Sequence, residues 1–342
     1  MFETFSLDSL AFHAAVIAPA FADQLPQDFP FRGTLNEFTL MDQVVTKAPI
    51  IDIRRQQNIL QRRDASCDII YKKVFGANTR QISVEELYGA TNFCRNEFYQ
   101  GALKDFRNND PLFEQRILPY FRQAVNTDIE TNAYFGDVDR FGSPTDSFST
   151  TVFDGIFKWI WKYLDASVIP SDQSNTIANG ESFTDAGGPQ AAYDLLKWLY
   201  DAQPVLMGQF TDAEKAFYVS KEIATGYEDY LAATATQGGN ITFLQSGIKR
   251  LFFKGIELLV EPLWTPVITQ IHGAAGYAAV LTIRGNFVFA TDRNYGEGED
   301  GRTALEVWYE RKDMMWYYRL FLKGGTQIAL PEFIVVSMTD FT

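Results

Sequence analysis

The sequence predicts an α+β protein in which helices dominate the middle of the chain and strands its C-terminal third. The strongest sign is a run of about 25 residues, from Pro111 to Gly136, whose apolar residues recur at helical spacing. Beyond residue 248, apolar residues alternate with polar ones or form short runs between glycines and prolines, as in strands. Shorter helical patterns are predicted in between, at 153–163, 189–202 and 211–235.

The long run at 111–136 would form a helix roughly 37 Å long at about 1.5 Å per residue. Pro111 suits the first helical turn, and Gly136 suits the C-terminal cap. Pro119 lies inside the run and is expected to kink or divide the helix, because its ring removes a backbone hydrogen bond. A helix of this length indicates a strut that supports something larger than a compact enzyme.

The N-terminal part of the chain has no single period. Residues 1–43 mix apolar patches with three prolines, so we expect an extended arm that needs a partner surface. Residues 44–81 place two strand-like pieces, VVTKAPIIDI and DIIYKKVF, around the polar stretch RRQQNILQRRD. This pattern predicts a long charged hairpin, which is marginal in water unless it packs against something. A helix is predicted at 82–106, where Ser83 and Glu86 form a capping box before an apolar stripe.

The charge of the chain is acidic overall but uneven. The formal net charge of −13 disfavours non-specific binding to nucleic acid. Residues 44–81 nevertheless hold eight basic and three acidic residues, whereas residues 181–240 hold nine acidic residues and three lysines. These are either two solvated faces, or the basic hairpin of one copy lies on the acidic body of another. The candidate assembly residues of the hairpin are Lys47, Arg54, Arg55, Arg62, Arg63, Lys72 and Lys73.

The sequence is poor in the residues from which catalytic and metal sites are built. His13 and His272 are the only histidines, which disfavours a histidine-based triad or a multi-histidine metal site. Cys67 and Cys94 are the only cysteines, which excludes a disulfide scaffold and a four-cysteine zinc site. No segment approaches the ~20 apolar residues that span a bilayer. We therefore expect no enzymatic activity, no cofactor and no membrane partner.

Three short motifs are weak on chemical grounds. The glycines of GEGEDG, at 296–301, are interleaved with acids that would repel a pyrophosphate, so this is an acidic turn where only weak calcium binding stays open. Ser246 and Lys249 form S-x-x-K without the partner motifs that give it meaning. Asp137 and Asp139 are better explained as a solvated loop than as a glycosidase pair.

Core positions are expected for the tryptophans, Trp159, Trp161, Trp198, Trp264, Trp308 and Trp316.

Taken in order, these blocks resemble the major capsid protein of tailed phages, which has the Hong Kong 97-type fold. The charged hairpin at 44–81 is similar to the extended E-loop, and the run ending in DIETNAYFGD is similar to the end of the spine helix. FDGIFKWI resembles the opening of the axial domain, and VWYERKDMMWYYRLFLKGGTQIALPE resembles the strands that return to the peripheral domain. The resemblance extends to ISVEELYGATNFC, PQAAYDLLKWLYDAQP, FYVSKEIATGYEDYLAA, GIKRLFFKGIELLVEPLW and GYAAVLTIRGNFVFATD.

The resemblance implies a domain organisation and a function. The chain would be a structural subunit, not an enzyme, that self-assembles as hexamers and pentamers into the icosahedral shell of a tailed phage. The shell would enclose double-stranded DNA without sequence-specific binding, with scaffolding, portal and decorating proteins as further partners. It would assemble in the host bacterial cytoplasm and reside in the virion capsid. The implied regions are an N-terminal arm at 1–43, an E-loop hairpin at 44–81, a peripheral domain at 82–150 with its spine helix at 111–136, an axial domain at 151–302, and return strands at 303–342.

Two alternatives stay open from the sequence. An encapsulin-like nanocompartment would share the fold but enclose a cargo enzyme, and the residues do not separate it from a capsid. A secreted carbohydrate-active protein has support only from the aromatic residues and the loop acids.

Overall fold

The computed structural model describes residues 37–55, 75–94, 112–140, 142, 146–178, 180–234, 241–243, 249–292, 305–310, 312 and 315–339. The predicted α+β class is confirmed, with helices packed against strands from all parts of the described chain. The α-helices of this part are α1 (Leu112–Phe135), α2 (Ile156–Asp165), α3 (Gly188–Asp201), α4 (Lys221–Ala233) and α5 (Trp264–His272). The strands are β1 (Thr39–Met41), β2 (Lys47–Arg55), β3 (Phe75–Ser83), β4 (Glu85–Cys94), β5 (Ser174–Ile177), β6 (Lys215–Ser220), β7 (Ile241–Phe243), β8 (Lys249–Phe253), β9 (Ile256–Glu261), β10 (Ala278–Ile283), β11 (Phe287–Ala290), β12 (Leu305–Glu310), β13 (Met315–Ile328) and β14 (Val335–Thr339).

A seven-stranded mixed sheet, in the order β5-β14-β10-β6-β9-β8-β7, organises the larger part of the core. Strands β6, β10 and β14 are buried along their whole length, which is why they read as continuous apolar runs. Alternate side chains enter two hydrophobic clusters. Phe217 joins the cluster that holds the apolar faces of α3 and α4, whereas Tyr218 joins the cluster that holds those of α1, α2 and α5. Helices therefore cover both faces of this sheet.

A second, five-stranded sheet is built around the long strand β13. Strand β4 pairs with β13 over ten residues, from Cys94 opposite Met315 to Glu85 opposite Gly324. Strands β11 and β12 also pair with β13, and β1 extends the sheet beyond β11. Helix α1 lies on one face, where the ring of Phe121 is 6.0 Å from that of Tyr318.

The predicted long helix is confirmed as α1, which has 24 residues and ends one residue before Gly136. Pro119 does not divide it, since the helix is continuous from Leu112 to Phe135. Immediately after the helix, the Gly155 N–H donates to the Gly136 carbonyl at 2.7 Å. A Cβ on Gly155 would lie 2.5 Å from the Gly136 nitrogen, so only glycine permits this close crossing of two backbones.

The predicted helix at 82–106 is wrong over its described part. Residues 85–94 form strand β4, and the capping box is not formed: the Glu86 side chain is exposed and pairs with Lys323. In a segment this short, a helical pattern and a strand pattern place apolar residues at several of the same positions, so the sequence alone does not distinguish them. The segment forms a strand because ten of its residues pair with β13.

Two further assignments need correction. The helix predicted at 211–235 begins only at Lys221, because 215–220 form the buried strand β6. Helix α5, at 264–272, occupies a region where strands were expected, and it ends at Gly273, whose φ of 72° suits a helix C-terminus. The core position expected for the tryptophans holds for Trp264, but Trp161 and Trp308 are each more than a third exposed.

Candidate assembly surfaces

Strands β2 and β3 form a hairpin-like ladder that stands apart from the two larger sheets. They pair antiparallel over nine residues and pair with no other strand in the described ranges. Both are therefore edge strands, so Pro49, which lacks an N–H, fits into β2 without interrupting a sheet. The strand pair of the predicted hairpin within 44–81 is thus observed, with its second described strand at 75–83. The predicted strand piece at 68–75 lies outside the described residues except for Phe75.

The base of this hairpin is fixed to the body of the protein. Ile82 is fully buried and shares a small hydrophobic cluster with Val44 and Val288. The Arg80 guanidinium donates to the Ala329 carbonyl oxygen. Farther along the ladder, Ile51 is 61% exposed. A two-stranded ladder of this kind gains stability when another surface covers it.

The structure separates the predicted assembly residues that it describes. Lys47 is exposed at the first position of β2, opposite Ser83, close to the anchored base. Arg54 and Arg55 are at the other end of β2, opposite Gly76 and Phe75. Intervals of about 3.4 Å per residue place Arg54 roughly 24 Å and Arg55 roughly 27 Å along the strand from Lys47. Arg62, Arg63, Lys72 and Lys73 lie outside the described residues.

A second candidate surface was missed by sequence reasoning. It is the face of the β4–β13–β12 sheet opposite α1, here called the exposed aromatic face, and it comprises Tyr88, Trp308, Tyr317, Arg319 and Phe321. Tyr88 is 75% exposed and lies opposite Phe321, which is 48% exposed. The signal was present in the alternation of YYRLFLK, but the predicted helix at 82–106 concealed the partner strand.

The side chains on the exposed aromatic face pack on one another. The rings of Trp308 and Tyr317 stack with centroids 5.2 Å apart. The Arg319 guanidinium lies 5.2 Å from the Trp308 ring and 5.0 Å from the Phe321 ring, within the range of cation–π attraction. Aromatic and arginine side chains of this kind are enriched at the centres of protein–protein interfaces.

Asp137 and Asp139 are part of an ion-pair cluster at the end of α1. Lys158, on α2, lies 2.5 Å from Asp137, 2.6 Å from Asp139 and 2.7 Å from Asp154. Burial would raise the pKa of Asp154, but hydrogen bonds from Lys158 and Lys162 outweigh it and lower that pKa. The expectation of a solvated loop therefore holds for the exposed Asp139, whereas Asp137 is half-buried and paired. The cluster fixes the loop after α1 to the first turns of α2.

Potential metal ligands are dispersed in the described part of the chain, and the cavity beside the aspartate cluster is small. Within the described ranges, no group of three or more His, Cys, Asp and Glu residues is arranged to hold a metal ion. The cavity beside the aspartate cluster, between Ser83, Trp159 and Thr326, has a volume of about 40 Å³, far below the several hundred Å³ of ligand pockets. No helix in the described part of the chain is both long and apolar enough to cross a membrane.

Comparison with known proteins gives a match in structure alone. No protein-family model matches the sequence, and no curated protein matches it. A chain of the satellite phage P4 procapsid, in a structure that includes the size determination (Sid) protein, superposes with a TM-score of 0.56. That match has 10% sequence identity and covers 94% of this chain and 98% of the other.

Two further solved structures are similar at lower scores. The capsid of Ralstonia phage GP4 gives a TM-score of 0.49 at 9% identity, covering 91% of this chain and 92% of that one. The holo-SrpI encapsulin of Synechococcus elongatus gives 0.46 at 11% identity, covering 90% and 87%. The fold assignment rests on the procapsid match, which spans nearly the full length of both chains. This protein therefore has the fold of phage capsid proteins, the Hong Kong 97-type fold that its sequence resembles.

Proposed function

We propose that this protein is a structural subunit that self-assembles into the capsid shell of a tailed phage. The observation that carries the proposal is the match in fold to a procapsid chain over 94% of this chain.

In this proposal the regions keep the roles that the resemblance implies. Residues 1–43 form the arm and 44–81 the E-loop hairpin. The peripheral domain comprises 82–150, with α1 as its spine helix, together with the return strands at 303–342. The axial domain comprises 151–302 and supplies six strands of the seven-stranded sheet, whose remaining strand, β14, comes from the return segment.

The hairpin is proposed as the principal contact between neighbouring copies. Its base is anchored, and Arg54 and Arg55 are at the opposite end of β2. The acidic region at 181–240 offers exposed carboxylates on α3 and α4, among them Asp194, Asp201 and Asp229. Attraction between the two regions would steer the association and set its register. Arg62, Arg63, Lys72 and Lys73 are proposed to contribute to the same basic surface, and Lys47 to a separate contact at the anchored base.

Heterologous contacts of this type generate rings when the rotation between copies closes. We propose hexamers and pentamers, an icosahedral shell with double-stranded DNA inside, and assembly in the host bacterial cytoplasm before incorporation in the virion. Scaffolding, portal and decorating proteins would be additional partners. The acidic net charge disfavours non-specific electrostatic binding, and we propose that the DNA is enclosed without sequence-specific binding to the subunit.

Sedimentation velocity of the purified protein, followed by analysis of the particle contents, tests this function. We expect megadalton particles that contain nuclease-protected DNA when they are purified from infected cells. Particles that contain a cargo enzyme and no DNA would identify a nanocompartment instead. A stable monomer near 38.8 kDa under all assembly conditions would contradict a shell subunit.

A further inference from the structure

Two buried carboxyl side chains meet where the end of α1 contacts the seven-stranded sheet. Glu130 is on α1, and Glu261 is the last residue of β9, immediately before the turn into α5. Their exposed fractions are 6% and 1%. Glutamate is almost never buried to this extent without a partner, because the charged form loses its hydration.

The Glu130 carboxyl group approaches that of Glu261 closely enough to interact with it directly. On the same helix, one turn after Glu130, the Tyr134 hydroxyl donates to Glu261 Oε1 at 3.0 Å. The Tyr134 ring in turn contacts the Trp264 ring of α5, with centroids 5.2 Å apart. The acid pair therefore lies within a packed contact between α1 and the corner formed by β9 and α5.

Among the described residues, the groups that interact with Glu261 include no cation. From α1 it is faced by Glu130 and Tyr134, and from β6 by the hydroxyl of Tyr218, which is buried and whose pKa is raised by burial. Across the described residues, no lysine or arginine nitrogen lies within 4 Å of the Glu261 carboxyl oxygens. Burial, and then the charge of Glu130, raise the pKa of Glu261 well above its usual value, against the opposing effect of the Tyr134 hydrogen bond.

Two carboxyl groups form a hydrogen bond only when a proton lies between them, since two carboxylates are both acceptors. Two ionised carboxylates in contact also repel each other strongly in a buried site. We propose that Glu130 and Glu261 share one proton and act as a latch, which holds the end of α1 on the β9–α5 corner and releases it when the proton is lost.

The direction of the pH effect follows from linkage. Because Glu261 binds its proton more tightly in the folded protein than in the unfolded chain, its contribution is complete below the unfolded pKa near 4.5 and is lost as the pH rises through the folded pKa. Within that window, the equilibrium constant for opening increases about tenfold per pH unit. A latch of this kind operates in a single subunit and does not depend on assembly.

Hydrogen exchange of the full chain, analysed by mass spectrometry between pH 5.5 and 9, tests the latch. After correction for the intrinsic exchange rate, peptides covering 126–135 should lose protection as the pH rises, while peptides of α3 should not. E261Q removes the titrating group but keeps a donor toward Glu130, so its exchange in 126–135 should be independent of pH. The matched control is Glu181→Gln, which alters an exposed glutamate and should behave as the parent.

A second variant decides the question if E261Q does not fold. E130Q supplies an amide that donates to the Glu261 carboxylate, so the contact should survive ionisation and the pH dependence at 126–135 should weaken. Equal pH dependence in the parent, E130Q and E261Q would overturn the proposal. Loss of protection in α1 and α3 together would also overturn it, because it would indicate global unfolding and not release of one contact.

Discussion

Substitution of Lys158 by methionine tests how the loop after the long helix is held. The Lys158 ammonium contacts carboxylates of Asp137, Asp139 and Asp154, while its own side chain is only 13% exposed. Methionine keeps most of the volume and the apolar stem but removes the charge. Three carboxylates would then face one another without the cation that lies between them.

The expected loss in the free energy of unfolding is about 2–4 kcal/mol at neutral pH. Asp137 and Asp154 are 27% and 20% exposed, and each partly buried hydrogen bond to a charged group contributes about 1.5–3 kcal/mol. Asp139 is 80% exposed and its pairing should add little. Replacing the lysine also removes the desolvation cost of burying its charge. The expected loss in the free energy of unfolding is therefore smaller than the sum of the contributions of the individual hydrogen bonds.

The loss should shrink at low pH. Because the folded protein lowers the pKa of Asp154, this carboxylate stabilises the fold above its unfolded pKa near 3.8, and the contribution disappears as the pH falls through the lower folded value. The partners also raise the pKa of Lys158, so its contribution is complete throughout the neutral range. The difference between parent and variant should therefore be constant near pH 7 and smaller below pH 4.

Urea denaturation of the unassembled chain, followed by circular dichroism at pH 7 and pH 3.5, measures this difference. The control is Lys162→Met, one turn along the same helix, where the side chain is 46% exposed and pairs only with Asp154 among the three aspartates. That change should cost about 1 kcal/mol or less. Equal stability of the parent and the Lys158 variant, or equal losses in the two variants, would refute the role assigned to Lys158.

Three further predictions concern the backbone crossing and the hairpin. Gly155→Ala should lower the free energy of unfolding by about 3 kcal/mol or more in a denaturation experiment, because the new Cβ would meet backbone atoms that no rotamer change can move. The control Gly208→Ala, whose Cβ would lie in open space, should be nearly neutral. Replacing 51–79 by a short glycine–serine turn keeps the base anchored through Ile82 and should give a folded body that fails to assemble; normal particles in sedimentation would contradict this. Reversing the charge of the four hairpin arginines (Arg54, Arg55, Arg62 and Arg63) should reduce assembly yield most strongly at low salt. A yield that does not change with the reversal at low salt would count against an electrostatic contact.

The sequence predicted the elements whose signal is local. The stripe of α1 repeats over six turns and is closed by Gly136, so its bounds were predicted to within one residue. Helices α2 and α3 likewise show an apolar face at helical spacing, and both were found close to the predicted ranges. Long periodic segments of this kind depend little on distant partners.

The errors occurred where distant pairing decides the local structure. Residues 85–94 become a strand because β13, more than 200 residues away, pairs with them at every position. Residues 215–220 show no alternation of apolar and polar side chains, because both faces of β6 are buried. For that reason the sequence predicted them as part of the helix that follows. The contact between Glu130 and Glu261 joins residues that are 131 positions apart. No motif in the sequence around either residue indicates that its side chain is buried against another carboxyl group.

The position of the exposed aromatic face likewise depends on residues that are distant in sequence. The alternation of Tyr317, Arg319 and Phe321 with buried residues was visible, but which side faces water depends on the position of α1. For the basic hairpin, the strand-like pieces around a polar stretch predicted a hairpin, but not the position of its second described strand at 75–83. The register that places Arg54 and Arg55 far from the base came only from the structure.

Electron microscopy of the purified full-length protein in negative stain tests the shell-subunit assignment most directly. We expect closed shells of uniform diameter, together with hexameric and pentameric rings at low protein concentration. The variant with the shortened hairpin, imaged in parallel, should show dispersed subunits and no shells. A field of dispersed particles for the parent protein, under every salt and concentration condition tried, would contradict the assignment.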